Sequence, residues 1–134
     1  PLVFHWSHAE QSTFKTSFNS AVNRQPEKTW ATPNWYDFHT LVMKANPVVI
    51  RGSLGFGLKQ IAKAMKKLGL IETDWGDGPT DGMGAMVGAW FAAKEALESK
   101  TPMNLVPLMK EIAEYNEVDC RVMFEIIEYL RKNH

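Results

Sequence analysis

The strongest pattern in the chain is a helical apolar repeat near its end, from about Leu108 to Lys132. Ile112, Val122, Ile126 and Leu130 fall on one stripe at spacings of three and four, and Met123 and Ile127 widen it. A stripe of that width must be buried against something, so this segment predicts a packed helix. The same spacing places Tyr115 and Asp119 on the stripe, one turn apart. A carboxylate on an apolar face is costly unless a hydrogen-bond partner or a cation compensates it. Asp119 is therefore the informative acid of this helix. Glu111, Glu114, Glu125 and Glu128 mostly fall elsewhere, where solvent is expected to reach them. The plain alternative is that Asp119 is a core carboxylate satisfied by a neighbouring donor.

Upstream, Leu2 to Trp6 is short, apolar and aromatic, and predicts a buried strand. Ser7 and Glu10 have the spacing of a capping box, opening a helix to about Asn23. The prolines between residues 24 and 34 predict a loop. Trp35 to Phe38 predicts a second short strand that leads into a helical turn through Leu41 and Val42, and Pro47 ends that turn. Asp37, after an aromatic pair at a strand end, reads most simply as a turn or cap aspartate. Val48 to Ile50 is β-branched and predicts an extended segment.

A glycine-rich bend, Gly52 to Gly57, precedes a helix from about Leu58 to Leu68 with Gly69 as its C′ residue. Arg51, Lys59, Lys63, Lys66 and Lys67 supply basic charge there with no acid among them, and Glu72, Asp74, Asp77 and Asp81 reverse the sign. Gly84 to Glu98 predicts a further helix. The fold class that follows is α/β, helix-rich, with a sheet remnant of two or three strands in one domain. An exposed edge on the first strand would invite pairing with a second copy, giving a homodimer.

Composition removes several classes. There are 134 residues with 15 basic and 15 acidic side chains, so the chain has neither a strongly basic arm nor an acidic tail. One cysteine, Cys120, excludes an intramolecular disulfide and a cysteine-based zinc cage, and fits a reducing, cytoplasmic setting. No apolar run approaches 18 residues. The chain carries no P-loop, G-x-S-x-G or H-E-x-x-H pattern. It opens on Pro1 and runs straight into a strand pattern, which predicts a piece of a longer product.

Tyr115-Asn116-Glu117-Val118-Asp119-Cys120 resembles the Y-N-x-x-D-C/V signature of RecB-like predicted nucleases with a ribonuclease H-like fold, relatives of the DnaQ-type DEDD 3′–5′ exonucleases. Phe4 to Glu10 resembles that group's second motif, an aromatic H-Y-x-x-x-(D/E) at a strand end, with Glu10 as the acid. Leu58-Lys59, Ile61-Ala62 and Leu68-Gly69 resemble its S-L-K-x-(I/V)-A…L-G segment, and Trp35-Tyr36-Asp37-Phe38 its D-L segment. The order of the segments agrees along nearly the whole chain. The first motif, D-x-E on a leading strand, has no match, and would lie upstream of Pro1 with three strands and a helix.

The resemblance implies a nuclease that hydrolyses DNA or RNA phosphodiesters with two divalent metals, Mg²⁺ or Mn²⁺. It implies Glu10 and Asp119 as metal ligands and Tyr115 as the residue that orients the attacking water. With half the ligand set, this chain alone is expected to bind metal weakly and to have little or no activity. The resemblance also gives Lys59, Lys63, Lys66 and Lys67 a role against phosphates, with Arg51 nearby and His5 and His8 flanking the site. Trp6, Trp30, Trp35, Trp75 and Trp90 are candidates for stacking on single-stranded bases, and Trp75 is the one that packing explains least. A non-catalytic nucleic-acid-binding module, or a helical interaction module that keeps the fold, is the alternative.

Overall fold

The computed structural model describes residues 2–46, 48–75 and 82–134. The chain forms two units, Pro1–Ile61 and Ala62–His134.

The first unit is built on a β-α-β motif. Strand β1 (Leu2–His5) leads through helix α1 (Ala9–Arg24) to strand β2 (Asn34–Asp37). The strands are parallel, with Leu2 opposite Asn34 and His5 opposite Asp37. Parallel neighbours need a crossover of about this length, and α1 supplies it. Aromatic side chains hold the motif together. Phe4 meets Tyr36 edge-on at 5.3 Å between ring centroids, and Trp6 tilts against Phe38 at 6.0 Å. The Trp6 indole donates to the carbonyl of Phe56 at 2.8 Å, which ties the glycine-rich bend to the end of β1. Trp6, Phe38, Met43 and Ile50 are buried.

Two expectations become more specific here. The turn after β2 is a π-helical segment, His39–Lys44, in which the N–H groups of Ala45 and Val48 reach back to Thr40 and Met43. It seats Met43 fully inside. Val48 to Ile50 forms no strand, so the sheet of the described residues is the β1–β2 pair alone.

Helix α2 (Leu58–Lys67) begins in the first unit and ends in the second. Its end agrees with the sequence: Gly69 adopts φ +69°, and the Leu70 N–H returns to the Met65 carbonyl. That conformation is natural for glycine and closes the helix. In the second unit, α3 (Gly82–Ser99) and α4 (Pro107–Asn133) pack on each other. Pro107 opens α4, where its missing N–H costs nothing. Ile112, Val122, Ile126 and Ile127 are buried, as the stripe predicts.

Candidate functional site

The carboxyl ends of β1 and β2 gather the polar residues of the first unit. Open α/β sheets bind their ligands at that end of the strands. The expected capping box does not form. Helix α1 starts at Ala9 with His8 at its N-cap, and no side chain caps it. Ser7 instead takes φ +76°, a left-handed conformation that a non-glycine residue adopts at a cost of about 1–2 kcal/mol. Two bonds hold it there. The His5 ring bonds the Ser7 carbonyl through Nδ1, and the Ser7 N–H donates to Asp37 Oδ1 at 3.3 Å. The same Asp37 oxygen accepts the Thr40 N–H at 3.0 Å, so Asp37 caps the π-helical turn as well. The turn-aspartate reading describes this part of its role, and the grip on Ser7 across the strands extends it.

Burial pushes the Asp37 carboxyl up, but the Thr40 and Ser7 donors and the nearby His5 outweigh it and hold the group below its ordinary value. We expect Asp37→Ala to cost about 2 kcal/mol in urea unfolding, because two backbone N–H groups lose a charged acceptor. Asp37→Asn keeps an oxygen at the same place and is expected to cost less.

Among the described residues, His5 is the one buried polar or charged residue, at 2 % exposure. Its Nε2 lies 3.1 Å from the Gln11 side-chain amide, and its Nδ1 lies 4.0 Å from a Glu10 carboxylate oxygen. The His5 ring also meets Trp35 edge-on, and Trp35 meets Phe14. So Glu10, on the first turn of α1, sits beside a histidine fixed by its neighbours. Beyond Gln11 a groove opens, floored by Phe14, Phe18 and Trp35 and flanked by Lys15.

The second group of candidate residues is on α4. Asp119 and Tyr115 are half-buried, one turn apart. Asp119 Oδ1 accepts a hydrogen bond from the indole N–H of Trp75 at 2.6 Å. The satisfied-carboxylate alternative thus has a named donor, and Trp75 has a role that packing did not supply. The segment carrying Trp75 is tied down two turns further along α4. Glu125 accepts the N–H groups of Glu72 and Thr73 at 2.8 and 2.9 Å, together with the Thr73 hydroxyl. The Lys66 ammonium bonds the Glu72 carbonyl.

Glu125 was expected to face solvent. The structure makes it half-buried, because the chain after α2 runs back along α4 and brings three donors to it. Burial raises its pKa, while Thr73, the Glu72 N–H and Lys66 lower it further, so the net value is depressed. The linkage sign follows: its contribution is fully present above the ordinary glutamate value of 4.5 and is lost as pH falls through the lower folded value. Glu125→Ala is expected to cost about 2 kcal/mol at neutral pH. It should also remove part of the acid-side fall in melting temperature, read by circular dichroism across a pH series.

The remaining candidates stand as follows. Arg51 and Lys63 are exposed, Lys59 is half-buried on α2, and His8 is exposed at the start of α1. Glu10 belongs to the first unit and Asp119 to the second. Asp77 and Asp81 lie outside the described residues. Among the described residues, no three His, Cys, Asp or Glu side chains converge as a metal-binding group. Sequence reasoning missed the Glu125 clamp and the Gln11 contact. The lone tryptophan in a polar, glycine-rich loop was the available signal for the Asp119 contact. Comparison with known proteins finds no matching family model, no matching curated protein and no matching solved structure.

Proposed function

We propose that this chain is the C-terminal part of a divalent-cation-dependent nuclease with a ribonuclease H-like fold, acting on DNA or RNA as a 3′–5′ exonuclease. The observation that supports it best is the placement of Glu10 and Asp37 at the carboxyl end of a parallel β-α-β motif. That is where such folds hold ligands, and Glu10 is the acid that the second-motif resemblance singled out. Asp119 and Tyr115, half-buried on α4, supply the third motif. In this reading Glu10 and Asp119 are metal ligands, for Mg²⁺ or Mn²⁺, and Tyr115 orients water. His5, Arg51, Lys59 and Lys63 serve the nucleic acid. No hydrolytic step is assigned to this chain alone. In this reading the other two acids are supplied by a leading D-x-E strand, contributed by an N-terminal portion of the same protein. The reading places the protein in the cytoplasm, in keeping with a single exposed, unpaired Cys120. No described helix is long and apolar enough to cross a membrane.

The second reading is a non-catalytic nucleic-acid-binding module or helical interaction module. The Trp75–Asp119 hydrogen bond favours it, since an indole donor meets that carboxylate.

The coding sequence upstream of Pro1 and an assay of the encoded protein separate the two. The nuclease reading expects a strand carrying D-x-E there. It also expects Mn²⁺-dependent shortening of an end-labelled oligonucleotide by the longer protein, and none by residues 1–134 alone. A leading segment without paired acids, together with an intact oligonucleotide, would leave the binding module.

A further inference from the structure

Helix α3 is built inside out. The side it buries is made of its smallest residues. Gly88 and Ala92 are buried, and Ala85, Ala89, Ala93 and Ala96 are half-buried beside them. Small residues let α3 approach α4 closely: a Cβ on Gly88 would meet Ile112 Cδ1 at 3.2 Å and Leu108 Cδ1 at 3.5 Å. The large apolar residues lie on the other side. Met83, Met86, Trp90 and Leu97 are 72, 68, 63 and 82 % exposed, and Val87 and Phe91 accompany them. A helix apolar all round is one that is buried on both sides.

We propose that this outer face of α3 is a homodimer interface, covered by the same face of a second copy of the chain. Three observations select that occupant. The first is area. The six side chains, 47 to 82 % exposed, form an apolar patch on the order of the largest found on a typical monomer, and the start of one partner's share of a standard interface.

The second is charge. Lys94 is the one cation on this face, and it pairs with Glu98 of its own helix at 3.9 Å. A nucleic acid or an anionic membrane would find no basic stripe here. The chain's net charge is zero, so two copies meet without net repulsion. The third is spacing. Met83 and Leu97 lie seven residues on either side of Trp90. An antiparallel pair with its two-fold axis at Trp90 therefore sets Met83 of one copy against Leu97 of the other, as a self-complementary interface requires. This dimer does not use the β1 edge, and it does not depend on the nuclease reading.

The test is the mass of the 134-residue chain by sedimentation equilibrium at micromolar concentration, joined to cysteine cross-linking. The expected mass is twice the 15.2 kDa of one chain. Trp90→Glu is expected to give a monomer with helix content unchanged by circular dichroism. In a Cys120→Ser background, Trp90→Cys is expected to form an interchain disulfide under mild oxidation. Met83→Cys is expected not to, because its two copies lie about 21 Å apart along the helix pair, beyond disulfide reach.

A wild-type monomer throughout the concentration range overturns the proposal, and so does a monomer that sediments with anionic vesicles. A dimer that survives Trp90→Glu with α3 intact also overturns it, and Val3→Pro then asks whether the β1 edge is the true contact. Should Trp90→Glu lose helix content, the cross-linking pair decides alone: Trp90→Cys disulfide with Met83→Cys silent supports the dyad, and any other pattern overturns it.

Discussion

Gly88→Leu is expected to destabilise the second unit by about 3 kcal/mol, whereas Gly88→Ala should leave its stability nearly unchanged. The contrast follows from the close approach of α3 and α4. At Gly88 a single added carbon would stand 3.2 Å from the end of Ile112 and 3.5 Å from the end of Leu108. Those are flexible side-chain tips, so a methyl group displaces them by a few tenths of an ångström. Alanine also gains about 1 kcal/mol over glycine in a helix interior, and this offsets the crowding. Leucine adds three further carbons into the same space, and the helices must separate. Urea unfolding of the two variants measures the difference. Equal stability of Gly88→Leu and Gly88→Ala would show that the seam between the helices is loose, and that α3 is not held through its small-residue face.

Parts of this fold were legible because local chemistry fixes them. The apolar stripe predicted which residues of α4 are buried, since every third or fourth position must face one way. Gly69 marked the end of α2 because its φ favours glycine. The failures came from contacts distant in sequence. Ser7 and Glu10 have capping-box spacing, but Asp37, thirty residues away, takes the Ser7 N–H and turns the backbone out of a capping conformation. Glu125 looks like an exposed helix acid until the Glu72–Thr73 segment is laid against it. The face of α3 inverts the usual reading. Its large apolar residues are exposed, and alanine and glycine occupy the packed side. Asp119 was singled out as a carboxylate needing compensation, and the indole that meets it stands 44 residues earlier.

On the nuclease reading, Asp119→Asn in the longer protein is expected to lower cleavage by at least about a hundredfold, more than the 10–100-fold typical of losing an outer-shell partner. The fold should be unaffected. Asparagine keeps a carbonyl oxygen where Asp119 Oδ1 accepts the Trp75 indole at 2.6 Å, so the contact that holds Trp75 on α4 survives. What the change removes is the negative charge, which a cation needs and an indole N–H does not. Trp75→Phe makes the reciprocal cut: it deletes the donor and leaves the carboxylate charged. A structural Asp119 predicts that Trp75→Phe lowers stability by about 1 kcal/mol and that Asp119→Asn changes neither stability nor turnover. A metal-ligating Asp119 predicts that Asp119→Asn removes turnover at unchanged melting temperature, with Trp75→Phe retaining most of it. Turnover and thermal unfolding of the two variants side by side choose between them.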